Sequence, residues 1–146
     1  MWQVITDYES FAEFIPTMTD NRRLEHLSGG IRLEQISTKS VVGIKISARS
    51  IVDIEERFPH EIHYQLIEED LKGFSGYWRL KTINSSQYQR GIELIHNFTV
   101  LPKPIILAPV FNHFLKNDIG ILLAVRQRVG NLFGKTGLKM LMRCIL

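Results

Sequence analysis

From Ile44 to Glu55 the chain alternates. Ile44, Ile46, Ala48, Ser50, Val52 and Ile54 fall on one side of an extended backbone, and Lys45, Ser47, Arg49, Asp53 and Glu55 fall on the other. A period of two with one wet face predicts a long, half-buried strand. The same alternation sets Ile31, Leu33 and Gln35 against Arg32 and Glu34, and Ile62, Tyr64 and Leu66 against Glu61, His63 and Gln65. It recurs after Gly73, where Phe74, Gly76, Trp78 and Leu80 oppose Ser75, Arg79 and Lys81, and again along Ile92, Leu94, His96, Phe98 and Val100. Turn-forming residues separate these runs at Phe58-Pro59-His60, Glu68-Glu69-Asp70 and Asn84-Ser85-Ser86, and Pro102 and Pro104 stop the last one.

Both ends of the chain change period. Trp2, Ile5, Phe11, Phe14 and Ile15 are spaced for an apolar helical face, with a break over Asp7–Ser10. Ser10 is placed to cap a second short helix, which Pro16 ends. From Pro109 to Leu132, residues including Val110, Phe111, Phe114, Ile119, Leu122, Val125 and Val129 form a stripe wider than a surface helix needs. The predicted order is a helix, about six antiparallel strands joined by short turns, and one long helix, an α+β domain. A sheet with one dry face needs a cover, and only the C-terminal helix is long enough to supply it. A curved sheet wrapped on one helix leaves a cavity between the layers, a natural site for a small molecule.

Composition narrows the class. A chain of 146 residues, 45% hydrophobic and 23% charged, is one globular domain with enough length to bury a core. No run approaches the roughly 18 apolar residues of a membrane span, and the opening MWQVITDYES has no basic segment of the kind that begins a signal peptide. Cys144 is the single cysteine, so no internal disulfide forms and a reducing, cytoplasmic location is expected. The net charge of +3 is unevenly spread. Residues 1–102 carry 11 Lys/Arg against 14 Asp/Glu, whereas residues 103–146 carry 7 against Asp118 alone. That split points to contact of the C-terminal region with an anionic surface, with a merely solvated basic helix face as the alternative. The chain divides accordingly into a domain over 1–132 and a basic amphipathic tail over 133–146, where Leu138, Leu141, Met142 and Ile145 are set against Lys135, Lys139 and Arg143.

Several phrases carry a family resemblance. TDYESFAEFIP at the start, GIRLEQ, the run KISARSIVDIEERFPHEI, and FSGYWRL followed by a strand ending in LPKP resemble the cyclase/dehydrase branch of the START-like (SRPBCC) superfamily, which includes polyketide cyclases/dehydrases and coenzyme Q-binding proteins. The resemblance covers residues 2–130 and is specific for fold, since the family has no universal catalytic motif. It implies a helix-grip fold whose cavity accepts lipids, isoprenoid quinones or polyketides. Members of the family open with an extra strand ahead of the helix that here starts at Trp2. Its absence from this sequence implies a shortened start and two open strand edges, which invite pairing with another chain.

The candidate cavity residues follow from the dry face. Gln35, Ile46, Ala48, Tyr64, Trp78, His96 and Phe98 come from the strands, and Phe114 and Leu122 from the helix. Burying about 300 Å² of ligand hydrocarbon gives roughly 7 kcal/mol at ~25 cal/mol/Å². The polar interruptions Gln35, Ser50, Tyr64, Trp78 and His96 would then fix orientation, and Tyr64, Trp78 or His96 would donate to a quinone carbonyl. The alternative is that these are core residues satisfied within the protein. No catalytic set, metal site or cofactor site is expected. His60 and His63 lie three apart on an extended chain and point to opposite faces. Gly130 to Thr136 is one residue short of a phosphate loop and follows a helix, so Gly134 reads as a helix cap. Arg49, Asp53 and Arg79 fall on the wet face as surface ion pairs. The function expected is binding of a lipophilic molecule for transport or chaperoning at membranes. A cyclase/dehydrase-type enzyme, or an assembly factor using an open sheet edge, stands as the alternative.

Overall fold

The computed structural model describes residues 1–41, 43–69, 73–85, 88–101, 118–134 and 139–145. Among them, six strands follow one another as antiparallel neighbours in a single sheet: β1 (Met18–Leu24), β2 (Ile31–Val41), β3 (Ile44–Arg57), β4 (Glu61–Glu69), β5 (Gly73–Ser85) and β6 (Tyr88–Leu101). The alternation in the sequence becomes rows of side chains across the sheet. Leu33 pairs with Val52 and Val52 with Leu66, while Ile62 pairs with Trp78 and Trp78 with His96. β1 begins earlier than its pattern shows, because the register shifts between Met18 and Asp20. A bulge adds an unpaired residue and breaks the period of two.

The N-terminal segment is α1 (Trp2–Thr6), a single 3-10 turn (Tyr8–Ser10) and α2 (Phe11–Phe14), and the long helix is α3 (Asp118–Phe133). Ser10 occupies the N-cap position of α2, but its side chain makes no capping bond. Its backbone is already helical, at φ −78° and ψ −6°, whereas a capping serine needs an extended backbone to turn its oxygen towards the first amides. Gly134, at φ +78°, follows Phe133 directly and ends α3 in the left-handed conformation that glycine adopts without strain. The beginning of the apolar stripe, Pro109 to Asn117 with Phe114, lies outside the described residues.

Both helical ends pack on one face of the sheet, the inner face. Val4 and Ile5 of α1 and Leu122, Val125 and Val129 of α3 form a core with Ile62 and Leu94, flanked by Trp2, Trp78 and Leu80. A second cluster seats Tyr8, Phe11 and Ile15 on Leu33 and Val52, with Ile121 and Leu66 at its margin. Each fully buried aliphatic side chain here contributes about 1.5–3 kcal/mol. Arg128 joins α3 to α2 by a 2.9 Å ion pair with Glu13 and by lying over the Phe14 ring.

The tail enters the sheet. β7 (Lys139–Ile145) pairs in parallel with β6, from Gly91 opposite Lys139 to Asn97 opposite Ile145. A helix separates the two strands and returns the chain to the same end, so they run in the same direction. The β6 edge, which the resemblance left open, is therefore occupied by this chain's own C-terminal segment. The sheet edges among the described residues are β1 and β7. β1 carries Asp20, Arg22 and Arg23, charges of the kind that discourage edge pairing.

Candidate ligand-binding site

On the inner face of β4–β6 four of the expected residues meet. His96 is 5% exposed and stacks on Trp78, with ring centroids 3.9 Å apart and planes 13° from parallel. Phe98, two residues further on the same face, stacks on it at 5.3 Å. The Tyr64 hydroxyl lies 2.8 Å from His96 Nε2. This bond crosses a whole strand, because Tyr64 is on β4 and His96 on β6. Gly76 of β5 makes the crossing possible: it pairs with both Tyr64 and Phe98, and the Tyr64 phenol occupies the space where a β-carbon would stand. The result is a hydrogen-bonded polar pair inside an aromatic wall. His96 is thus held within the protein, bonded to Tyr64 and stacked on Trp78 and Phe98.

The other expected residues do not join this group. Gln35 pairs with Ser50, Ala48 with Ser37 and Ile46 with Lys39, so they share the inner face but lie rows away, towards the β2–β3 turn. Leu122, 2% exposed, is packed in the α1–α3 core. Phe114 is outside the described residues. Asn21 on β1 is a polar, buried inner-face residue that the alternation does not reveal, because Asp20, Asn21, Arg22 and Arg23 make both faces of this strand polar.

The outer face is ionic. Arg49 pairs with Glu34 at 2.6 Å, and Arg22 binds the same carboxylate from the other side. Hydrogen bonds from Arg22 and Arg49 hold the Glu34 carboxyl below the ordinary range. Arg32 holds Asp53 down in the same way, through bonds of 2.6 and 2.8 Å, and His63 and Arg79 do so for Glu61. Arg49 therefore engages Glu34 and Asp53 engages Arg32, each across adjacent strands. On the inner side of β3, Tyr8 donates to Glu56 at 2.8 Å. Burial, followed by that bond, pushes the Tyr8 phenol well above its usual range. The outer face also carries an open groove of about 500 Å³ lined by residues including Glu55, His63, Gln65, Tyr77, Asn97 and Thr99. Its polar, salt-bridged margin offers a hydrocarbon little.

A family profile described as polyketide cyclase/dehydrase and lipid transport matches residues 1–124. The chain belongs to that family. Solved structures with the same fold include a protein from Thermus thermophilus, with TM-score 0.67 and 13% identity over 90% of this chain and 88% of that one. They also include the Zhui aromatase/cyclase of a Streptomyces species, at 0.63 and 18% over 92% and 88%. A START superfamily protein from Mycobacterium smegmatis is similar at 0.64 and 14% over 89% and 87%. At such identities the likeness is one of fold, and the family's α+β helix-grip architecture is what this chain shares. No curated protein matches it. No helix among the described residues is long and apolar enough to cross a membrane.

Proposed function

We propose that this protein binds a lipophilic, ring-bearing small molecule on the inner face of the sheet, with Tyr64, Trp78, His96 and Phe98 as the wall that orients it. The carrying observation is the polar pair embedded in aromatic surface, Tyr64 hydroxyl to His96 Nε2 at 2.8 Å with Trp78 stacked at 3.9 Å. Aromatic rings supply large apolar area with a polar handle, a combination suited to planar ligands. Membership of a family described by cyclase/dehydrase and lipid transport supports the ligand class, which includes lipids, isoprenoid quinones and polyketides. Residues 1–132 are the binding unit in this proposal. The excess of basic residues after 102 favours unloading at an anionic membrane surface, and the single cysteine suits a cytoplasmic carrier.

Native mass spectrometry of the purified chain, followed by organic extraction, tests the reading. A stoichiometric lipophilic adduct that Trp78→Ala loses while remaining folded is the expected result. A folded wild type that takes up none of a panel of lipids, quinones and polyketide-like aromatics would refute it. Trp78 is a better probe than Leu122, whose core position means that a charge there disrupts packing first.

The Tyr64–His96 bond also favours a second reading, a cyclase/dehydrase-type enzyme in which the pair moves a proton to or from the bound chain. A hydrogen-bonded phenol and imidazole are a competent proton-transfer couple. That reading requires turnover of a polyketide-like substrate that His96→Ala and Tyr64→Phe both abolish. Binding that survives with no product in wild type leaves the first reading standing alone.

A further inference from the structure

The open groove of about 500 Å³ on the outer face lies across the sheet from the aromatic wall, and the lipophile reading gives it no task. Two rows of outward side chains floor it. In one, Asp53 on β3 pairs with Gln65 on β4, Gln65 with Ser75 on β5, and Ser75 with Thr99 on β6. In the other, Glu55 pairs with His63 and His63 with Tyr77. Three inter-strand steps make the floor about 14 Å long, and two residues along a strand set the rows about 7 Å apart. The volume is that of a small-molecule site. The charged groups at its margin already hold partners. Arg32 bonds Asp53 at 2.6 Å, Arg57 bonds Glu55 at 2.8 Å, and His63 Nε2 lies 2.7 Å from the Glu61 carboxylate. The exposed residues of the floor's first row, Gln65, Ser75 and Thr99, are neutral.

We infer that this groove binds a neutral saccharide, whose hydroxyls bond Gln65, Ser75 and Thr99 while the C–H face of one ring lies against Tyr77. A carboxamide and two hydroxyls each donate and accept, as a sugar hydroxyl does. An anion only accepts and an ammonium group only donates, so each leaves half of that capacity unused. The anion would also face the Asp53 and Glu55 carboxylates, and the cation would compete with Arg32 and Arg57 for them. Tyr77 supplies the apolar wall. Arg79 lies over its ring at 4.8 Å and His63 is tilted against it at 5.6 Å. On β5, Ser75 stands on the other side of Tyr77 from Arg79, and its small side chain leaves a hollow beside the ring. The inference goes beyond the lipophile reading, since it concerns the opposite face of the sheet.

Saturation-transfer NMR titration of the full chain with maltose, cellobiose and lactose at millimolar concentrations tests this. At least one of the three should bind saturably. Gln65→Ala removes a hydrogen-bonding group and Ser75→Val fills the hollow beside Tyr77, so each should weaken that binding about tenfold or abolish it. Both replace exposed side chains, and circular dichroism checks their folds. Gln65→Ala keeps the test decisive if Ser75→Val unsettles the strand. Saturable binding of none of the three sugars overturns the inference, as does binding that Gln65→Ala and any folded Ser75→Val protein leave unchanged. Tighter binding of glucuronic acid or glucosamine than of glucose overturns it too, because the site would then select charge. Trp78→Ala, which tests the lipophile reading on the inner face, should bind the disaccharide as wild type does, so the two readings fail separately.

Discussion

Replacing Gly76 by alanine is the sharpest single perturbation of the site. The new methyl would overlap the Asn97 carbonyl oxygen and the Tyr64 hydroxyl, and would stand 2.7 Å from Tyr64 Cζ. The carbonyl belongs to the β6 backbone and is held by the sheet, so the tyrosine must move or the two strands must part. Moving the ring breaks its 2.8 Å bond to His96, and disturbing a buried hydrogen-bonded pair costs about 1–3 kcal/mol. Overpacking against a fixed backbone costs about 1–3 kcal/mol more. A stiffer unfolded chain returns about 0.4–1 kcal/mol. The expected net loss is about 2–4 kcal/mol, or a fall in Tm of about 5–15 °C for a chain of this size. Urea unfolding of Gly76→Ala, Tyr64→Ala and the double variant would measure it. The two substitutions should couple by at least about 1 kcal/mol, because removing the ring removes part of the clash. A Gly76→Ala protein as stable as wild type, or strictly additive effects, would refute the claim that this glycine exists to let Tyr64 cross β5.

Three further outcomes are expected. Tyr64→Phe keeps the ring and deletes the hydroxyl, so it should lower stability by about 1–2 kcal/mol in urea unfolding, with no change in secondary structure by circular dichroism. Acid should weaken the fold through Glu34, Asp53 and Glu61, whose folded carboxyls are held below their ordinary range by their partners. The unfolded chain then binds more protons in acid, so this stability is complete above pH about 4.5 and is lost as pH falls through the folded values. Melts taken from pH 7 to pH 3 should show this decline, and Glu34→Gln should flatten it. Deleting residues 135–146 removes β7 and exposes the β6 edge, so the truncated chain should self-associate in light scattering where the full chain does so less.

How far the sequence alone can reach depends on which relation each residue enters. Alternation assigns a residue to a face, and it puts Tyr64, Trp78, His96 and Phe98 on one face, as the strand pairing does. The break at Asp7 and the cap at Gly134 are also legible, since both are local backbone matters. Alternation does not say which rows a helix covers. Leu122 and Gln35 therefore look equivalent to His96 in sequence, although one is locked in the α3 core and the other lies rows away. Nor does it register in a strand that is polar on both faces, which is why β1, with Asp20 to Arg23, and its Asn21 escape it. The parallel β7 is illegible for another reason. Its two basic residues among apolar ones suit an amphipathic tail and an edge strand equally, and only a helix of the right length returning the chain to β6 decides between them.

The Tyr64–His96 bond nevertheless leaves a mark in the sequence. A tyrosine and a histidine 32 residues apart give no sign of contact by themselves, and strand order makes them second neighbours rather than first. The mark is Gly76, a glycine on the dry face of a strand that otherwise puts large side chains there. Glycine inside a strand forfeits packing and loses conformational entropy, so its presence means that something else needs the space. Its cross-strand partners in a simple meander are Tyr64 and Phe98, and of the two only the phenol gains by reaching farther, to a polar group on β6. A mid-strand glycine on a buried face, opposite a tyrosine on one neighbouring strand and one row from a histidine on the other, is therefore a predictor of a strand-crossing polar pair. Strand alternation and the order of a meander are all that finding such a pair requires.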